Sequence, residues 1–304
     1  MRKFLIYSVS VCLFSWTMAA IAIFGFRMTS ATPWYTFFAA AYMFFPLLTA
    51  LVLQAIGKEK FNHTGLVNFR ISWTWLVAWL LPVAMLLVCI AVNGLVPGVD
   101  LQYNAEQLIN QYDIPEEQQD LVRSQVMNMP AAMMLALTLI SGLLAGVTIN
   151  AVAAFGEEYG WRNYLVGALG DTKFVKAALL IGFVWGIWHA PLILLGHNYP
   201  EHHFWGVPMM VVFCMLLGII ELYFVVKTKS VIVAAIMHGT INAVVQCTTF
   251  FVLGGNDLTN GLPGLSGFIT MLLTIILLYV YDKYLSRDCI FSKTLIGSLK
   301  VNEL

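Results

Sequence analysis

At 304 residues, with 60% apolar side chains, 11% charged ones and a mean hydropathy of +0.81, the chain carries more apolar surface than a soluble domain can bury, and it calls for a bilayer as solvent. Sixteen basic residues balance sixteen acidic ones, which argues against a nucleic-acid partner. The five cysteines, Cys12, Cys89, Cys214, Cys247 and Cys289, are odd in number and scattered mostly through apolar stretches, so they imply neither a disulfide framework nor a CxxC metal clip.

Eight apolar runs follow in chain order, at about 4–26, 34–56, 73–96, 131–169, 174–196, 205–226, 230–253 and 265–281. An open strand edge would leave backbone groups unpaired in lipid, so the predicted fold class is all-α: a polytopic bundle of about eight transmembrane helices. The first run follows Met1-Arg2-Lys3 and contains Ala20-Ile21-Ala22, the marks of a signal peptide, but its apolar stretch is too long for one and it is kept as a span.

Between the third and fourth runs lies a polar insertion, roughly 97–130. It carries Asp100, Glu106, Asp113, Glu116, Glu117 and Asp120 against the single base Arg123. Pro115 followed by acids predicts a helix start, with Leu121, Val122 and Val126 as its apolar stripe, in a solvated cap on the outer face. Placing the N-terminus in the cytoplasm leaves only Arg27 and Arg123 outside and the other fourteen basic residues inside. This positive-inside bias predicts an integral protein of the plasma (inner) membrane with both termini cytoplasmic.

Ionisable residues interrupt these runs, each costing about 2.5–3.5 kcal/mol at mid-bilayer if unpaired. They fall in three segments: Phe155-Gly156-Glu157-Glu158-Tyr159-Gly160-Trp161-Arg162, Trp185-Gly186-Ile187-Trp188-His189 and His238-Gly239-Thr240-Ile241-Asn242. Residues equidistant from the turn of an antiparallel hairpin lie at equal depth. The midpoint of Glu157 and His189 falls on Gly170-Asp171-Thr172-Lys173, so the two sit level, roughly 20–25 Å from that turn, with His238 roughly 15 Å from the same side. Helix phase pairs Glu158 with Arg162 at i, i+4 and turns Glu157 away as the free carboxyl. His238 and Asn242 share a face, as do Trp185 and His189. Gly142/Gly146, Gly156/Gly160 and Gly182/Gly186 predict close seams that bring the fourth and fifth runs together. Pro191 should kink the fifth helix and free a carbonyl for water or substrate. Glu221 can snorkel or pair with Lys227 or Arg162, which makes it structural. The exposed loop His197-Asn198-Tyr199-Pro200-Glu201-His202-His203 reads as solvated, with metal binding the less favoured alternative.

A carboxyl free of a cation and sheltered from bulk water suits a general base, and Glu157 has that place, with His189 level beside it to hold the attacking water. His238 and the Asn242 amide then supply donors to an oxyanion. Two histidines and a carboxylate also make a zinc shell, so a metal held by Glu157, His189 and His238 stays open. The absence of HExxH favours water activation with no cofactor required.

These residues resemble the CPBP family of intramembrane proteases, which includes the type II CAAX prenyl endopeptidases and bacteriocin-immunity relatives. The family pattern is EExxxR, FxxxH and HxxxN. Glu157, Glu158 and Arg162 match the first motif, His189 the second, and His238 with Asn242 the third, across roughly 130–250, with Trp185 where the pattern has phenylalanine. The resemblance implies that Glu157 and His189 activate water and that His238 and Asn242 bind the oxyanion, with Glu158 and Arg162 in support. It divides the chain into 1–130, three spans and the outer insertion; 131–253, the catalytic helical core; and 254–304, the last span and a cytoplasmic tail. The family is often classed among metallopeptidases, which keeps zinc in play.

The expected partners are membrane lipid and a membrane-embedded or lipid-tethered peptide, prenylated substrates of CAAX type included, entering from the cytoplasmic half. Two rival readings share these residues: a non-catalytic binding or immunity protein of the same fold, and an ion- or proton-coupled transporter. Against the transporter, no broken-helix pair or repeated halves show in the sequence.

Overall fold

A computed structural model describes residues 1–104 and 116–300. Its helices are α1 (Arg2–Gly25), α2 (Tyr35–Ile56), α3 (Trp73–Asn93), α4 (Glu116–Met127), α5 (Ala131–Val147), α6 (Ile149–Ala168), α7 (Phe174–Trp188), α8 (Ala190–Leu194), α9 (His203–Thr228), α10 (Val231–Phe251), α11 (Leu265–Ser286) and α12 (Leu295–Lys300). Each of the eight apolar runs contains one or two of them. Among the described residues, six helices are long and apolar enough to cross a bilayer, namely α1, α2, α3, α9, α10 and α11. The pair α5–α6, bent by 53° at Thr148, makes a seventh crossing if it is one span. The remaining run is α7, 15 residues and short for a span, which breaks at His189 before α8. The protein is an all-α polytopic membrane protein.

Local chemistry sets the borders that matter for the site. Lys229 ends α9 with a left-handed φ of 53°, and Ser230 opens α10 by accepting from the Ile232 amide at 3.3 Å. So short a connection forces α9 and α10 to run antiparallel as neighbours. The helix expected after Pro115 is present as α4, although Pro115 itself lies outside the described residues. Val122 rests against Met134, while Leu121 is exposed; nothing is described of the Val126 side chain. The outer insertion is tied down by a two-residue ladder, Asp100–Leu101 (β1) against Val252–Leu253 (β2), and by the Asn104 amide donating to Phe250 O at 2.8 Å.

The glycine seams join different partners from those expected. A Cβ on Gly146 would stand 2.7 Å from Thr240 Cα, and one on Gly156 2.7 Å from Met43 O, so the fourth run packs on α10 and α2. A Cβ on Gly186 would stand 2.4 Å from Val211 Cα, so the fifth run packs on α9. Small residues admit whichever backbone the topology presents, and their spacing alone does not name it. The Pro191 expectation is corrected in its consequence. The break at His189 does release the Trp188 carbonyl, but protein takes it: Tyr42 Oη donates to it at 3.1 Å and Trp16 Nε1 at 3.3 Å.

Gly186→Ala should cost about 1–3 kcal/mol through overpacking of backbone on backbone, read as a fall in Tm in detergent. Gly170→Ala, whose Cβ would find nothing nearer than 3.7 Å, should leave Tm unchanged.

Candidate active site

Directly after Glu157 and Glu158, α6 widens into a π-helical stretch, Tyr159–Tyr164, every residue of which is buried. Such segments recur at functional sites because they re-aim side chains within one helix. Here the two adjacent carboxylates part company. Glu158 Oε1 lies 2.9 Å from Arg162 Nη1 and 2.9 Å from His238 Nδ1. Arg162 Nη2 reaches Glu221 Oε2 at 2.5 Å, and its guanidinium lies over the Trp185 ring, 4.2 Å from the centroid. Glu157 takes neutral donors instead: its Oε2 accepts from Trp185 Nε1 at 2.6 Å and from Trp161 Nε1 at 3.4 Å.

Arg162, Glu158 and Glu221 have no exposed surface. Charges this far from water persist only when matched. One guanidinium is shared by two carboxylates, one of which also holds the His238 ring. The expected Glu158–Arg162 pair is therefore present and enlarged. Arg162 is thus not an inner loop residue, which leaves thirteen basic residues on that side rather than fourteen. Glu221 pairs with Arg162, while Lys227 bonds Asp288 instead.

His189 caps the end of α7, and its Nδ1 stands 2.8 Å from Trp185 O. A carbonyl only accepts, so Nδ1 carries the proton and Nε2 of the neutral ring is an acceptor. Cys214 Sγ is 3.9 Å from the same Nδ1. Glu157, His189, His238 and Asn242 all line one cavity of about 320 Å³, whose walls include Tyr42, Trp188, Met210, Phe213 and Ile241. Glu157 and the two histidines are buried, and Asn242 is exposed at the open side. The turn between Glu157 and His189 falls at 169–172, and Trp185 spans the gap between the two residues.

Two residues central to this arrangement were undervalued from sequence. Trp185 read as a substituted aromatic, yet its N–H is what holds Glu157, a bond that phenylalanine cannot make. Glu221 lacked a motif, although an isolated acid inside an apolar run is itself the signal that a buried cation needs a second partner. The cavity also lies in the half of the bundle away from the 170–173 turn, bordered by His197, Asn198 and Pro263, and not in the half expected for substrate.

The arrangement does not gather the metal set that the sequence left open. Among the described residues, the trios whose donor atoms fall within 4.8 Å of one another are Glu158, Glu221 and His238, and Glu201, His202 and Asp257; Glu157, His189 and His238 are not such a trio. In the first, the Arg162 guanidinium already stands between the two carboxylates. In the second, Asp257 is occupied by the backbone amides of Glu201 and His202 and by the His202 ring.

Arg162→Met should therefore destabilise the fold by about 3–5 kcal/mol, because it leaves two buried carboxylates without a cation. Glu221→Gln should cost less, since Glu158 still matches Arg162. Thermal unfolding in detergent measures both, and equal Tm values for Arg162→Met and the parent would contradict the shared-cation account.

Residues 123–244 match the family model described as type II CAAX prenyl endopeptidase Rce1-like. A 97-residue stretch is 35% identical to CAAX prenyl protease 2 of Methanococcus maripaludis, covering 30% of this chain and 36% of that protein. The chain thus matches little more than a third of its relative's length, and the matched family segment holds all three motifs. Residues 123–244 of this chain thus resemble the type II CAAX prenyl endopeptidase Rce1-like family.

Proposed function

We propose that the protein is an intramembrane endopeptidase in which Glu157 and His189 activate a water that attacks a peptide carbonyl. One observation carries this reading: of two adjacent buried carboxylates, Glu158 is matched by Arg162 and His238, while Glu157 is held only by indole N–H groups and faces the cavity. A carboxylate aimed by neutral donors stays free to take a proton, which a salt-bridged one does not.

The chemistry runs as follows. His189 Nε2 and Glu157 each accept one hydrogen of a water, which turns the oxygen lone pair towards the substrate carbonyl. Glu157 takes a proton as the oxygen bonds to the carbonyl carbon. The resulting oxyanion meets the Asn242 amide and His238 Nε2, which donates when the ring carries both protons with Glu158 as its counter-ion. Glu157 then passes its proton to the departing nitrogen as the C–N bond breaks and the oxyanion returns to a carbonyl, leaving a carboxylic acid, which keeps the water's second hydrogen, and an amine; proton exchange between them gives carboxylate and ammonium. This route passes no step through a metal, because the oxyanion has two donors in Asn242 and His238. The substrate class is a membrane-embedded or lipid-tethered peptide. The name of the archaeal relative makes prenylated CAAX-type peptides the first to try.

Glu157→Gln and His189→Ala should each lower the cleavage of farnesylated or unmodified membrane peptides by at least about 100-fold, the scale of a lost general base. Cleavage equal to the parent by both variants would sink the reading. A zinc chelator should leave the parent rate unchanged, and loss of activity restored by zinc would instead establish a metal enzyme.

Trp185→Phe keeps the ring over Arg162 and removes the bond to Glu157. It should reduce kcat about tenfold with KM unchanged, as expected when an interaction that matters only in the transition state is lost. A raised KM at unchanged kcat would assign Trp185 to substrate binding instead.

A further inference from the structure

The loops sort onto two faces. On one, Lys3 pairs with Glu59, Asn68 Nδ2 donates to Lys229 O at 2.5 Å, the Val231 amide donates to Leu66 O at 2.9 Å, and Lys227 pairs with Asp288. The Phe174 amide donates to Lys293 O at 2.9 Å and the Leu295 amide to Thr172 O at 3.0 Å. These contacts gather the N-terminal end of α1, 57–72, 170–173, 227–231 and 287–296 on a single side, and nearly all the basic residues lie there. On the opposite side, β1 pairs with β2, the Glu201 amide donates to Asp257 Oδ2 at 2.7 Å, and Tyr199 Oη donates to Pro263 O at 2.8 Å. Of the basic residues, only Arg27, just after α1, and Arg123, in α4, belong to the segments of that side.

The candidate active site opens toward the second face. Its cavity is built from the N-terminal half of α9, the C-terminal half of α10 and the loop residues His197, Asn198 and Pro263, all at that end of the bundle. A second cavity, about 530 Å³, adjoins it and shares Asn198, Val245, Gln246 and Pro263 with it. Its remaining lining is largely polar, with Glu201, Thr249, Asn256 and Asp257 among it and no Lys or Arg. The inner cavity, by contrast, is walled by Trp188, Leu192, Phe213 and Ile241. Together they form a path that is polar at the loops and apolar beside Glu157.

A charge bias this large fixes orientation: segments rich in Lys and Arg stay in the cytoplasm. From this, and resting on the proteolytic reading above, we infer that the site is served from the non-cytoplasmic side. Its substrate is a peptide displayed there, with a polar segment in the outer cavity and an apolar residue in the inner one. A path of graded polarity lets the polar part keep hydrogen bonds while the scissile bond leaves bulk water. A peptide presented from the cytoplasm would meet the basic face, from which the cavity does not open.

Two readouts separate this inference from the proteolytic reading. In sealed spheroplasts carrying the full chain, a membrane-impermeant maleimide should label Thr249→Cys, in the outer cavity, at least about tenfold faster than Lys60→Cys on the basic face, with the parent as the background from native cysteines. Permeabilisation should raise only the Lys60→Cys rate. Labelling of Thr249→Cys only after permeabilisation overturns the inference, whatever the activity. Membrane-anchored reporter peptides displayed on either side supply the second readout: the parent should cut the one displayed outside. Cleavage confined to the cytoplasmic reporter overturns the inference, whereas cleavage of neither, with the labelling pattern as expected, refutes the proteolytic reading and the substrate assignment together while leaving the sidedness established.

Discussion

Everything around the site depends on one buried guanidinium. Arg162 has no exposed surface, and it balances Glu158 on its own helix and Glu221 on α9 while stacking on Trp185 of α7. Glu158 extends the network to His238 on α10. A single cation thereby fixes four helices relative to one another where ions cannot remain unmatched. Without that match, Glu158 and Glu221 would have to be protonated or exposed, and neither the His238 ring nor the Trp185 indole would keep its present orientation.

The same network explains why two neighbouring glutamates can have unlike roles. A carboxylate bound to guanidinium and imidazole is committed to structure. Glu157, one residue earlier and roughly 100° around the helix, meets two indoles and an open cavity. Trp185 is what joins structure to chemistry: its ring face takes the cation, its N–H holds Glu157, and its carbonyl sets the His189 tautomer. A phenylalanine in place of Trp185 would keep the ring but lose the donor that holds Glu157.

Much of this was legible in the sequence, and the rest was hidden for physical reasons. The apolar runs located the helices because lipid tolerates few alternatives, and the Glu158–Arg162 spacing gave their pairing because it is local to one helix. The turn near 170–173 placed Glu157 and His189 on one cavity by simple counting. What escaped were contacts between elements distant in the chain. Gly186 announced a close approach without saying that Val211 would make it. The carbonyl freed near Pro191 was foreseen, but not that Tyr42 and Trp16 would claim it. Glu221 was read as an acid that snorkels or pairs with Lys227 or Arg162, because nothing in its own helix says that the guanidinium from α6 is the cation beside it. Even the half of the bundle that holds the cavity is a property of packing, since residues as distant in the chain as Tyr42, Met210 and Asn242 line it.

The central claim is that a peptide lies in this cavity with its scissile carbonyl between Glu157 and the His238–Asn242 pair. The most direct measurement is an experimental structure of the full-length Glu157→Gln variant bound to a peptide that the parent cleaves. The account predicts the scissile carbonyl oxygen within hydrogen-bond reach of Asn242 Nδ2 and His238 Nε2, with the chain leaving past Asn198 and Gln246. A peptide bound on the basic face, or seated in the cavity with its carbonyl turned away from both donors, would contradict it.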